Sequence, residues 1–270
     1  MQQAISAPSA PSASPAAEAY GRMASLYDTF TAHHDYDLWL GSLLPACRAA
    51  GLRGQRVLDV GCGTGKSLMP LLDSGWEVTA CDLAPEMLEI AAQRTQGRVE
   101  LERADARELP QFGEFDLVMA LDDVVNYLLD RDELEAFFRG ALRNLAPGGR
   151  LLFDANTLET YRTFFAETET EVRDGTTLRS RGLTSRDAGP GVLGEVAFEA
   201  EGAGGVPLME PSLHVQRHHP TEVVTSALES AGLRSVAVYG HREDAVLQAP
   251  LHELEHAKAI YVAKAWSEGR

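Results

Sequence analysis

Positive charge is scarce in this 270-residue sequence: 24 Lys and Arg stand against 40 Asp and Glu, a formal net charge of −16. A chain so acidic is repelled by phosphate backbones, and no basic face is evident to overcome that, so no nucleic-acid partner is expected. No run approaches the roughly 18 uncharged apolar residues of a membrane helix, so no membrane partner is expected either. Cysteine is sparse too. Cys47, Cys62 and Cys81 are an odd number without metal-ligand spacing, so no metal is expected and a reducing cytoplasm is the expected location. Residues 1–17 lack charge altogether; six Ala, four Ser and three Pro make up 13 of these 17 positions. Prolines and serines interrupt any apolar run a secretory signal would need, and the segment reads as a disordered tail.

What remains has the composition of an ordinary globular protein, 44% hydrophobic and 24% charged, and the length allows one large domain or two small ones. Short apolar runs at 56–60, 77–81, 99–102, 115–121 and 150–154 read as strands. Helical patterns at 66–74, 85–95 and 131–145 lie between them. The last pattern is the clearest. Leu134, Phe137, Phe138, Ala141, Leu142 and Leu145 form one apolar face, Asp130 with Glu133 offers a capping box, and Pro147-Gly148-Gly149 ends the run. Alternation of this kind predicts an α/β fold, with a mostly parallel sheet covered on both faces. The pattern breaks at residues 158–217, rich in Thr, Gly and Glu and punctuated by turns, which predicts a β-rich flap inserted into the domain. A helix at 222–231 and strands near 235–239 and 259–266 complete the reading. The expected organisation is a tail (1–17), a core (18–157), the flap (158–217) and a C-terminal part of the core (218–270).

The most informative segment runs from a strand through Gly61, Gly63 and Gly65 into a helix, preceded by Asp59. Alternate glycines let the backbone turn tightly and let a ligand touch the main chain. A phosphate-binding P-loop needs four residues between its glycines and a glycine where Val60 stands. Asp59 would also repel a triphosphate. Against this, the run 118–121 ending in Asp122 resembles the apolar strand before a magnesium-binding aspartate, so a P-loop-like NTPase stays as an alternative. A dinucleotide fold needs its third glycine where Lys66 stands. S-adenosylmethionine (SAM) fits better. It carries no phosphate, and its ammonium and sulfonium groups favour acidic neighbours. It also calls for a second acid to take the ribose hydroxyls, and Asp82 ends the next strand, 23 residues after Asp59. Asp105 follows the third strand, where such folds hold the adenine edge.

On these residues, residues 20–266 resemble a class I SAM-dependent methyltransferase. The likeness rests on VLDVGCGTG (57–65), Asp82-Leu83 with Pro85-Glu86-Met87-Leu88, Ala104-Asp105-Ala106, FDLVMALDDVVNYL (115–128) and LAPGGRLLFD (145–154). The segment from Tyr20 to Asp28, followed by Asp35 to Trp39, is similar to bacterial small-molecule methyltransferases, including sugar N-methyltransferases of antibiotic pathways. There such helices fold over the cofactor as a lid. The resemblance implies a Rossmann-like seven-stranded sheet with its last strand antiparallel. It implies cofactor contacts from Tyr27, Asp59, Gly61, Gly63, Asp82, Leu83, Met87, Asp105, Ala106 and Leu121.

Methyl transfer from a sulfonium is an in-line displacement that needs alignment and exclusion of water, with a base where the acceptor must lose a proton. The acceptor is expected beyond the strand ends, against Asp122, Asn126, Tyr127, Asn156, Arg217 and His218, under the flap. The position that carries D/N-P-P-Y/F in enzymes acting on nucleic-acid amines reads Asp122-Asp123-Val124-Val125, without either proline. A flap of about sixty residues would enclose a small natural-product-like molecule rather than leave a polymer groove. Catalytic candidates are Asp123, His214 and Tyr20. Each has a plainer alternative: a helix cap for Asp123, strand-edge solvation for His214, lid packing for Tyr20. His214 and His218 on one strand face would stand about 13 Å apart, too far to share one zinc. The expected function is methyl transfer to an N, O or C atom of a small acceptor; a non-catalytic SAM-binding protein is the rival. Oligomeric state is left open, a homodimer being compatible.

Overall fold

The computed structural model describes residues 14–242 and 245–266. Most of the expected tail, residues 1–13, lies outside the described residues. Its last part does not stay a tail: helix α1 (Pro15–Phe30) begins there, with Pro15 in the first turn, Glu18 behind it, and Ala17 and Ala19 buried. Proline suits a first helical turn because its missing N–H has no intrahelical partner there. Helix α2 (Tyr36–Ala49) follows, capped by Asp35, whose carboxylate accepts from Leu38 N at 2.9 Å.

The core then alternates as its patterning requires: β1 (Arg56–Val60), α3 (Leu68–Asp73), β2 (Glu77–Asp82), α4 (Pro85–Thr95), β3 (Glu100–Arg103), β4 (Phe115–Ala120), α5 (Arg131–Asn144) and β5 (Leu145–Asn156). In α5, Asp130 Oδ1 accepts from Glu133 N at 2.9 Å, while Glu133 Oε2 reaches back to Leu129 N at 2.6 Å, one residue before the cap. Its apolar stripe is buried at Leu134, Phe137, Phe138 and Ala141. Each such large side chain contributes about 1.5–3 kcal/mol on burial. Leu145, expected as the last helical residue, instead opens β5.

Residues 158–217 hold a short helix α6 (Leu158–Arg162) and strands β6 (Thr168–Arg173), β7 (Thr176–Gly182), β8 (Leu193–Glu201) and β9 (Ser212–Arg217), which form a separate antiparallel sheet in sequential order. The chain returns through α7 (Thr221–Ser230), β10 (Leu233–His241), β11 (Leu247–Gln248) and β12 (Lys258–Ala265). The main sheet runs β3-β2-β1-β4-β5-β12-β10-β11. Its first five strands are mutually parallel, and β12 lies antiparallel to both β5 and β10. The sheet has eight strands rather than seven, because the two-residue β11 adds an edge pairing to β10. Strands β1 and β4 are buried on both faces, as a parallel sheet sandwiched by helices demands. No helix among the described residues is long and apolar enough to cross a membrane.

Candidate functional site

In open α/β sheets, ligands lie beyond the carboxyl ends of the strands. A cleft opens there, over the ends of β1, β2 and β4 and beneath α1. Its empty space, open mouth included, is about 1030 Å³. The glycine loop forms its floor. Gly61 N and Cys62 N both donate to Cys81 O, at 2.8 and 3.0 Å, which folds the loop across the end of β2. Gly63 has φ of +53°, and a Cβ there would meet only Tyr27, at 3.9 Å, so its main chain stays open to the cleft. At Gly61 (φ +78°) a Cβ would stand 2.5 Å from Val124 Cγ2, which leaves no room for a side chain.

Asp82 closes this floor. Its Oδ2 accepts from Gly63 N at 2.8 Å and its Oδ1 from Ala84 N at 2.9 Å. Burial raises its carboxyl above the ordinary carboxylate range, against the pull of those N–H groups. Asp59 lies deeper and accepts from Ser67 Oγ at 2.6 Å; burial pushes its carboxyl up to about 7. The folded chain therefore holds a proton there that the unfolded chain releases near pH 4, and the stability associated with it is lost as pH rises from about 4 to about 7. Asp59→Asn does not titrate, so in the cofactor-free protein it should gain stability relative to the wild type between pH 5 and pH 8. Urea unfolding at both pH values measures this; a difference independent of pH would contradict it.

Asp105 caps the turn at Ala106 and is held by Arg107, whose Nε lies 2.9 Å from Oδ1 and whose guanidinium also bonds Oδ2. Burial alone would raise this carboxyl, but the Arg107 hydrogen bonds hold it below the ordinary range. Tyr27, Leu83, Ala106 and Leu121 also line the cleft. Met87 does not: it is buried with Met23, Ala24 and Ala84 under α1, where it packs the lid helix against α4.

Beyond β4 the chain makes two consecutive left-handed residues, Asp122 (φ +63°) and Asp123 (φ +73°), a conformation that Asp tolerates better than most side chains. The buried carboxylate of Asp154, on β5, accepts from both of their N–H groups, at 2.6 and 3.3 Å. Lys258, the first residue of β12, sets its ammonium among all three carboxylates: 2.8 Å from Asp154, 3.3 Å from Asp122, and in direct contact with Asp123. Burial would lower this ammonium, yet Asp123, Asp154 and Asp122 raise it well above the usual lysine range. Burial also raises Asp154 to about 6, with Lys258 opposing. For Asp122, burial is outweighed by His34 and Lys258, which hold the carboxyl below the ordinary range. His34 Nδ1 is 3.3 Å from Asp122 Oδ2, and the hydroxyls of Tyr27 and Tyr36 donate to the same oxygen, at 3.2 and 3.5 Å.

Under the flap, Tyr20 of α1 packs edge-on against His214 of β9 and against Tyr127. His214 is buried, with Nδ1 2.7 Å from the Tyr127 hydroxyl and Nε2 2.9 Å from Ser212 Oγ. Burial lowers its imidazole to about 4. Tyr20, Asp122 and Tyr127 share the cleft with the glycine loop.

The other expected acceptor residues are engaged in the fold. Asn126 is fully buried; it donates to Arg217 O and Tyr161 Oη and accepts from Asn156 N. Asn156 donates to Gln216 Oε1 at 2.9 Å. Arg217 donates to Gly191 O and Leu129 O, and His218 sits between Gly191 N and Glu253. None of the four lines the cleft. Asn126 and Asn156 are spent in the hydrogen bonds that tie β5 and β9 together, and β9 ends at Arg217, beyond which the chain turns into α7. Among the described residues, no group of three His, Cys, Asp or Glu is arranged to hold a metal ion.

Residues 57–149 match the methyltransferase domain family. The match spans about a third of the chain. YqeM of Bacillus subtilis (strain 168), called a methyltransferase without a stated acceptor, is 36% identical over 141 residues, covering 51% of this chain and 56% of that protein. The chain thus spans about half the length of the curated relatives it matches. A SAM-dependent methyltransferase from Clostridium acetobutylicum ATCC 824 superposes with a TM-score of 0.76 at 21% identity, over 92% of this chain and 99% of that one. SAM-bound CalS10, an amino pentose methyltransferase of Micromonospora echinaspora involved in calicheamicin biosynthesis, gives 0.68 at 24%, over 88% and 95%. These likenesses establish the class I methyltransferase fold; both of those neighbours are named for SAM. The cleft holds groups compatible with such a cofactor: an open Gly63 main chain, a carboxylate at the end of β2, and a buried acid below the loop. Lys258, Asp154, Ser212 and His34 were not singled out from the sequence. A lysine opening an otherwise apolar strand was the available signal for the first.

Proposed function

We propose that the chain transfers the methyl group of SAM to an N, O or C atom of a small natural-product-like acceptor. One observation supports this most directly: a single cleft joins the glycine loop and Asp82 to Asp122, Tyr127 and Tyr20, with residues of α1 along it. When bound, SAM supplies an activated methyl carbon. The chain's part is to hold donor and acceptor in line and keep water out. A cleft lined by α1 on one side suits a small molecule, and the amino-sugar acceptor of CalS10 belongs to that class. The NTPase alternative is disfavoured: Lys66, which would have to reach phosphates, donates to Thr31 O at 2.6 Å.

Incubation with isotopically labelled SAM and a panel of amines, hydroxyls and carbon acids tests the proposal. Label must appear in a small acceptor; binding of S-adenosylhomocysteine without any transfer would favour the non-catalytic reading. Asp123 is proposed as an orienting group at the acceptor. Its carboxylate is already engaged by Lys258, so Asp123→Asn should lower single-turnover methyl transfer about tenfold. That is less than general-base removal costs, about 10²–10⁴. S-adenosylhomocysteine affinity should be unchanged. A loss of a thousandfold would mean that Asp123 takes the proton itself.

A further inference from the structure

Helix α1 forms one wall of the cleft, with Ser14 ahead of it and Ala16, Ala17, Tyr20 and Tyr27 along it. Near its C-terminal end the helix is tied to the glycine loop by a closed ring of hydrogen bonds. The Thr64 hydroxyl, between Gly63 and Gly65, donates to Asp28 Oδ1 of α1 at 2.6 Å. Arg94 of α4 completes the ring. One of its amino groups donates to Thr64 Oγ1 at 2.9 Å and to Thr64 O, and the other pairs with Asp28 Oδ2. The helix end is held in a similar way. Its last turn carries no basic residue, although the free carbonyls there favour a cation. Lys66 of the same loop supplies one by donating to Thr31 O at 2.6 Å, and Arg173 of β6 supplies another to Thr29 O at 3.3 Å.

Thr64 is buried, whereas the Asp28 and Arg94 side chains are 41% and 24% exposed. Neither of these two lines the cleft. We propose that Asp28 and Arg94 are positioning residues: with the Thr64 hydroxyl they latch α1 against the glycine loop, and release of this latch sets how fast cofactor enters and its product leaves. The proposal rests on the methyl-transfer reading and adds a gate to it. A side chain that touched the cofactor would favour the bound state and show in affinity. A latch outside the cleft favours closure of α1 equally with the cleft filled or empty, so it slows entry and exit together and leaves affinity alone.

Asp28→Asn and Arg94→Gln cut the latch from either side. In each, S-adenosylhomocysteine should associate and dissociate about fivefold faster in stopped flow, the upper end of what a partly exposed ion pair holds, with Kd within about twofold of wild type. The double variant should be no faster than either single one, because both remove the same interaction. Salt should mimic the cut. S-adenosylhomocysteine carries no net charge, so a rise of both rates with ionic strength in the wild type, absent from Asp28→Asn, reports the ion pair rather than the ligand. Amide hydrogen exchange of α1, read without any ligand, should quicken about fivefold in both variants. Unchanged rates, or faster dissociation alone with weaker affinity, would overturn the gate. Unchanged exchange of α1 would overturn the latch itself. A wild-type chain that binds no S-adenosylhomocysteine would instead overturn the methyl-transfer reading and the gate with it, while faster α1 exchange in the variants would leave the latch standing as a structural tie.

Discussion

Asp82→Ala should weaken binding of S-adenosylhomocysteine about ten- to hundredfold, the equivalent of about 1.5–3 kcal/mol for a lost charged hydrogen-bond acceptor. Two effects combine at this residue. Its carboxylate ends β2 at the cleft, where we propose that it accepts from both ribose hydroxyls. The same carboxylate also accepts from Gly63 N and Ala84 N, so its removal frees the glycine loop from the strand beside it. Asp82→Asn should be nearly as damaging, because whichever oxygen becomes the amide nitrogen would face a backbone N–H, donor against donor. Calorimetry on the two folded variants decides this. An Asn variant that binds like wild type would mean that the loop tolerates a flipped donor. An Ala variant that binds like wild type would remove Asp82 from the cofactor site.

That prediction was open to the sequence because its parts lie close together along the chain. Gly61, Gly63 and Asp82 belong to two consecutive strand ends, and a strand ending in Asp after a glycine loop is a local pattern. The same holds for α4 and α5, whose boundaries follow from Pro85 and from the Asp130 cap. Contacts between distant segments left no such trace. Lys258 meets Asp123 and Asp154 across 135 and 104 residues, and His214 meets Tyr127 across 87. Arg217 and His218 were expected at the acceptor because they adjoin His214, but facing alternates along β9 and the strand stops at Arg217. The start of α1 was hidden differently: Ala, Ser and Pro compose tails and first helical turns alike, and only the packing of Ala17 and Ala19 on the body tells them apart.

Lys258→Met should cost about 3 kcal/mol of stability at pH 8, because it leaves three carboxylates packed together with no ammonium between them. For a chain of this size that is roughly 6–12 °C in Tm. The loss should depend on pH, with a sign fixed by Asp154. In the wild type burial already raises this carboxyl to about 6 while Lys258 opposes. Without Lys258 it rises further, and Asp122 rises with it, so the folded variant takes up protons that the unfolded chain releases near pH 4. A carboxyl raised in the folded state favours folding below its folded pKa, and that contribution is lost as pH rises through it. The variant should therefore lie close to wild type near pH 5 and fall away toward pH 8. Adding Asp123→Asn to Lys258→Met should recover part of the loss at pH 8 by removing one of the opposed charges, and should recover little at pH 5, where the cluster has already taken up protons. Urea unfolding of both variants at the two pH values supplies the four numbers required. Equal losses at pH 5 and pH 8 would show that Lys258 acts through the packing of its stem rather than through its charge. The three carboxylates would then have to be sharing protons among themselves in the wild type.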